Sequence, residues 1–278
     1  MSNSAPDQDI RDSVSAAYER ALQRAEAQTG SCCGGSSKPA GNAAKLVDYE
    51  EDAAGLPAAA VSSSFGCGNP LAFSDVKPGQ VVLDLGSGAG LDLLIAAKKV
   101  GPSGKVIGVD MTDAMIEAAR KNVEQAGLQN VEVRKGIIED LPVEDASVDW
   151  VISNCVINLA PDKGPVFKEI ARVLKPGGRI SVSDIVVEEL PQALREHAAM
   201  HSACIGGAIS ESEYKSGLEA SGLKDVEVQE RLLYDKAQLL AVVSLDDAAE
   251  GLTPEFINSA TDAAAGKVWS AKFVGQKS

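Results

Sequence analysis

The sequence predicts an α/β fold built on a doubly wound, mostly parallel sheet. Three observations carry that expectation. Short apolar runs alternate with helix-period segments between residues 80 and 187, and a glycine-rich loop joins the first run to the first helix. An aspartate then closes the second run 110 − 90 = 20 residues after the last loop glycine. At 278 residues, 45% hydrophobic and 24% charged, the chain can bury a sizeable core.

The elements follow in order. "QVVLDL" (80–85) reads as a buried strand and "GLDLLIAAKKV" (90–100) as the helix upon it. "KVIGVD" (105–110) is the next strand. "TDAMIEAARKNVEQAG" (112–127) is the next helix, with Thr112 as N-cap and Gly127 as C-cap. "VEVRKG", "VDWVIS" and "RISVSDIVV" supply three more strands, and "GPVFKEIARVLKPGG" (164–178) a helix ended by Pro176 and two glycines. Past Glu188 the pattern loosens. "SESEYKSGLEASGL" reads as a helix, and "VEVQERLL" and "KVWSAKFVG" as a late antiparallel strand pair.

Upstream of the core, residues 6–28 read as an amphipathic helix with Ile10, Val14, Tyr18, Leu22 and Ala25 on one face. A Gly/Ser-rich linker, "GSCCGGSSKPAGN", carries Cys32 and Cys33. The expected organisation is residues 1–45 as N-terminal helix and cysteine-bearing linker, 46–190 as core, and 191–278 as substrate-binding segment and C-terminal elaboration. From about Tyr234 the chain is alanine-rich and carries no motif.

The charge balance excludes one class of partner. A net charge of −14 repels a phosphate backbone, so nucleic acid is not expected. The polar N-terminus and the lack of an apolar run of about 18 residues lead to a reading of a cytoplasmic protein with no membrane partner. Five irregularly spaced cysteines, Cys32, Cys33, Cys67, Cys155 and Cys204, then suit metal binding, catalysis or simple burial better than a disulfide framework.

The loop "DLGSGAG" places Gly86, Gly88 and Gly90 between strand and helix, where bare backbone and a helix N-terminus let a ligand approach. Asp110 stands where a carboxylate can accept both hydroxyls of a ribose. The spacing is G-x-G-x-G preceded by Asp84, which departs from the dinucleotide pattern G-x-G-x-x-G. With "GVDMT", "IIEDLP" and "LKPGGR" following in order, the run from about 75 to 187 resembles the class I S-adenosylmethionine-dependent methyltransferases, whose sheet is Rossmann-like. That resemblance implies S-adenosylmethionine as cofactor. Asp84, Gly86, Ser87, Gly88 and Gly90 would hold its methionine part, Asp110 its ribose, and Met111, Ile138 and Glu139 its adenine, with Asn154 beside them.

"SNCVINLA" puts Cys155 at the end of the fourth strand, beside the first, and so at the mouth of that site. Cys67 in "SFGCGNP" and Cys204 in "CIGGA" are flanked by glycine and lie outside the core. Three converging thiolates suit a soft ion with a lone pair. These motifs, preceded by a helix ending in "SCC", resemble the arsenite methyltransferases. The resemblance implies methylation of trivalent arsenic, arsenite or methylarsenite, bound by Cys67, Cys155 and Cys204 as a metalloid-binding insertion on the core. Cys32 and Cys33 would be accessory thiols, and thioredoxin or glutathione the reductant. Three other readings stand beside it: a methyltransferase for an organic acceptor such as a quinone precursor, a metalloid-binding protein without turnover, and zinc held by His197, His201 and Cys204 at i, i+4 and i+7.

Overall fold

A computed structural model of the chain describes residues 5–29, 55–64, 75–188, 205–245 and 253–278. Seven strands form one sheet: β1 (Val81–Leu85), β2 (Lys105–Asp110), β3 (Val131–Lys135), β4 (Val148–Asn154), β5 (Leu174–Val187), β6 (Leu223–Leu233) and β7 (Val268–Lys277). Their order is β3-β2-β1-β4-β5-β7-β6. The first five run parallel, and β7 lies antiparallel between β5 and β6.

Alternation along β1 divides the core between the two faces of the sheet. Leu83 and Leu85 pack with Ile107, Val109 and Val151 under α5 (Lys163–Val173) and α6 (Glu211–Ala220). Val82 turns the other way and packs with Leu93, Ile116 and Trp150 under α3 (Leu91–Val100) and α4 (Asp113–Gln125). A parallel strand buried on both faces has no polar side, which is why these runs read as continuously apolar. Each fully buried Leu or Ile contributes about 1.5–3 kcal/mol.

Three further helices, α1 (Ala5–Thr29), α7 (Lys236–Leu245) and α8 (Pro254–Ala264), collect at the carboxyl end of β4, while the short α2 (Ala58–Ser62) packs through Ala60 on Leu94 of α3 and Val123 of α4. Val14 of α1, Leu239 of α7 and Ala264 of α8 share an apolar cluster with Cys155, Leu159, Ile185 and Tyr234. The motif-free C-terminal segment is therefore part of the cover over the end of β4. Among the described residues no helix is long and apolar enough to cross a membrane.

One local expectation is corrected. The helix before β5 stops at Val173, three residues ahead of Pro176, because Leu174 is already extended (ψ 136°) and pairs with Val148. The residue before a proline is steered from helical backbone, so the chain leaves the helix early and Pro176 falls inside β5. Thr112 is the N-cap residue of α4, as expected, without a side-chain cap hydrogen bond; its N–H donates to Asp110 Oδ1. Gly127 (φ +66°) follows the C-cap residue Ala126 in the left-handed conformation, as the C-terminal glycine rule requires.

Candidate active site

In the order β3-β2-β1-β4-β5 the connections reverse direction between β1 and β4, and an open α/β sheet has its crevice beyond that point. A cleft lies there. Gly86, Ser87, Gly88 and Gly90 line it from the loop after β1, Asp110 and Met111 from the end of β2, Ile138 and Glu139 from the segment after β3, and Asn154 and Cys155 from the end of β4.

The loop glycines do different work. Gly86 (φ +63°) lies so close to Val156 that a Cβ there would sit 2.1 Å from its Cγ2. Gly90 (φ +92°) is the left-handed N-cap of α3, with Ala119 only 3.3 Å from the position of a Cβ. At Gly88 (φ +50°) a Cβ would meet nothing within 4 Å: the backbone borders open space on the cleft. The Gly88 N–H donates to Asp110 Oδ2 at 2.9 Å, and the Thr112 N–H to Oδ1 at 2.9 Å. Burial pushes the Asp110 carboxyl up, opposed by these donors.

Asp84 lies beneath the loop, 2% exposed, and is absent from the cleft lining. Desolvation holds its carboxyl well above the ordinary range, with Asp92 and Asp110 adding like-charge repulsion. Asp92, in the first turn of α3, does line the cleft, and accepts from Asn154 Nδ2 at 3.3 Å. The Ser87 hydroxyl is buried and has no hydrogen-bond partner among the described residues.

Cys155 adopts φ +58°, an uncommon conformation for a side-chain-bearing residue. Its N–H donates to the Ser183 carbonyl at 2.8 Å, and Val156 beyond it is packed on Gly86, so the turn is held from both sides. The side chain is 4% exposed and lines the cleft. Its sulfur is disulfide-bonded. Cys32, Cys33, Cys67, His197, His201 and Cys204 lie outside the described residues. Among the described residues no group of three His, Cys, Asp or Glu side chains could hold a metal ion.

The 3₁₀ turn Ile157–Leu159 follows Cys155 and is anchored on a buried carboxylate. Asp184 accepts the Asn158 N–H at 3.2 Å, the Ile185 N–H at 3.0 Å and the Tyr214 hydroxyl at 3.3 Å. Burial pushes Asp184 up to about 7, against the opposing pull of Lys163 and these donors. Neither Asp184 nor the lining residue Arg11 of α1 stood out in the sequence, and Tyr18, also on the cleft, was read only as part of the apolar face of that helix. An amphipathic face flags a buried stripe without saying what the stripe covers.

The donor set fits S-adenosylmethionine. A carboxylate at the end of β2 suits ribose hydroxyls, and bare backbone at Gly88 admits the ligand beside Asp92 and Asp110 on the cleft wall. Comparisons with known proteins agree. Residues 76–222 match the family model of a methyltransferase domain. The arsenite methyltransferase of Halobacterium salinarum is 44% identical over 200 residues, 72% of this chain and 51% of that one. The arsenite methyltransferase of Aquipseudomonas alcaligenes is 36% identical over 225 residues, 78% of this chain and 62% of that one. The chain thus spans roughly half to three-fifths of the length of these relatives. The crystal structure of an arsenic(III) S-adenosylmethionine methyltransferase from Chlamydomonas reinhardtii superposes with a TM-score of 0.65 at 33% identity, covering 81% of this chain and 72% of that one. The chain belongs to the class I S-adenosylmethionine-dependent methyltransferases and, within them, to the arsenite methyltransferase family.

Proposed function

We propose that the chain methylates trivalent arsenic, as arsenite and methylarsenite, with S-adenosylmethionine as donor, and that it serves arsenic detoxification in the cytoplasm. The observation that carries the reading is Cys155, a cysteine lining the same cleft as the glycine loop and Asp110. A methyltransferase for a hydroxyl or amine acceptor has no use for a soft ligand there.

When bound, S-adenosylmethionine supplies an electrophilic methyl group on a cationic sulfur. The chain's part is to hold the acceptor beside it. In this reading Gly86, Ser87, Gly88 and Gly90 receive the methionine end, Asp110 the ribose, and Met111, Ile138 and Glu139 the adenine, with Asp84 supporting the loop from beneath. Cys155, Cys204 and Cys67 bind As(III) as thiolates and keep its lone pair toward the donor. Arsenic carries no proton to remove, so no general base is needed. Loading releases protons from the thiols.

Methyl transfer leaves arsenic formally pentavalent, and two electrons return it to the trivalent state. Protein thiols supply them by forming a disulfide, and thioredoxin or glutathione reduces that disulfide again. The disulfide at Cys155 fits the oxidised half of this cycle. Cys32 and Cys33 act as carriers or resolving thiols.

The test is product analysis. Purified protein, arsenite, S-adenosylmethionine and a thiol reductant are incubated, and arsenic species are separated beside Cys155→Ser and Cys204→Ser. Methylated arsenic from the wild type and little from either variant is expected. A folded wild type that binds the donor and yields no methylated arsenic sends the search to organic acceptors.

A further inference from the structure

Arg11 and Glu139 are 128 residues apart in sequence and meet at the cleft. From α1, the Arg11 guanidinium donates to Glu139 Oε1 through Nη2 at 3.0 Å and Nε at 3.3 Å. The side chains are only 10% and 11% exposed, and both residues line the cleft. Both N–H groups converge on Oε1, and among the described residues no donor reaches Oε2. A charged pair this far from water rarely persists unless its geometry is good, and it holds a carboxylate in one orientation.

Charge gives the arrangement a direction. Among the described residues lining the cleft, Arg11 is the one cation, facing Asp92, Asp110 and Glu139. It compensates the carboxylate on the segment after β3. Glu139 thus presents a compensated carboxylate with Oε2 as its acceptor toward the cleft. That suits a neutral heterocycle with an exocyclic amine.

We propose that Arg11 is a positioning and specificity-determining residue: it fixes the Glu139 carboxylate so that Oε2 accepts the exocyclic amine of adenine. This rests on the cofactor reading given above. Tyr18, two turns further along α1, lines the same cleft and packs near Leu22, Ala89 and Met115, so the helix that carries Arg11 is seated on the site.

The experiment is equilibrium binding of S-adenosylhomocysteine and of its inosine analogue, which has a carbonyl in place of the amine. Proteins compared are wild type, Arg11→Ala, Arg11→Lys, Glu139→Gln and the double variant Arg11→Ala/Glu139→Gln, with thermal melts confirming folding. Wild type should prefer the adenine ligand. Arg11→Ala should lose about tenfold for it, the worth of one charge-assisted hydrogen bond, and much less for the inosine analogue, while Arg11→Lys falls between. Once Glu139 is Gln, removing Arg11 should add little. Should Arg11→Ala not fold, the Arg11→Lys and Glu139→Gln ratios carry the same comparison. Equal loss of both ligands, or no loss of either, overturns the role assigned to Arg11. A wild type that binds neither ligand overturns the cofactor reading along with it.

Discussion

Val156 fills the space that a side chain at Gly86 would need: a Cβ on Gly86 would lie 2.1 Å from Val156 Cγ2 and 2.8 Å from its Cβ. The first glycine of the cofactor loop and the residue after Cys155 are thus in direct contact, so the loop that receives the cofactor and the turn that bears the thiol form one packed unit. Gly86→Ala should cost about 1–3 kcal/mol from overpacking, with further strain from its positive φ, and should weaken S-adenosylhomocysteine binding. Denaturant melts and calorimetry check this. Adding Val156→Ala should recover part of the stability, and no recovery would mean that the contact is not the cause.

Asp110 both braces the loop, through Gly88 N–H, and offers its carboxylate to the cleft. Asp110→Asn keeps the shape but turns an amide toward that N–H. Hydrogen bonds to a charged acceptor are worth about 1.5–3 kcal/mol, so affinity for S-adenosylhomocysteine should fall roughly tenfold to a hundredfold. Titration calorimetry measures it, and affinity within a factor of about two would contradict the role.

Asp184 makes stability depend on pH in a defined window. Its folded value of about 7 lies above the ordinary 3.8 because burial disfavours the charged carboxylate. The native state therefore holds a proton that the unfolded chain has lost, and the associated stability is full below about pH 4 and is lost as pH rises through 7. Asn cannot titrate. Relative to wild type, Asp184→Asn should gain about 3 kcal/mol between pH 4.5 and pH 8. Urea melts across that range test it, and parallel wild-type and variant curves would rule out Asp184 as the source.

Because the Cys155 sulfur is engaged in a disulfide, arsenite binding should require prior thiol reduction. Pre-oxidised protein should retain little arsenic through gel filtration, reduced protein should retain it, and reduced Cys155→Ser should not. Equal retention by oxidised and reduced protein would separate arsenic binding from this thiol.

The continuous apolar runs and the helix-period patterns between Gln80 and Val187 were legible because the central strands are buried on both faces, so local hydrophobicity mirrors the fold. The glycine loop and Asp110 were legible for a related reason: backbone approach and ribose recognition need particular residues at fixed spacing. The end of the helix before Pro176 was misplaced because pairing of Leu174 with Val148, a contact distant in sequence, decides it. Arg11 was illegible as a cleft residue, since its partner Glu139 lies 128 positions away. Asp184 in "VSDIVV" looked like any polar residue within a strand, and only three converging donors mark it as an anchor.

By itself the sequence determined the sheet, the loop that faces its switch point and the thiol at the end of β4, because these depend on neighbours near in the chain. Tertiary structure alone decided what covers them. α1, α7 and α8 have no motif that names a target, and they meet the Cys155 end only because the folded sheet leaves an apolar surface there that water would otherwise have to cover.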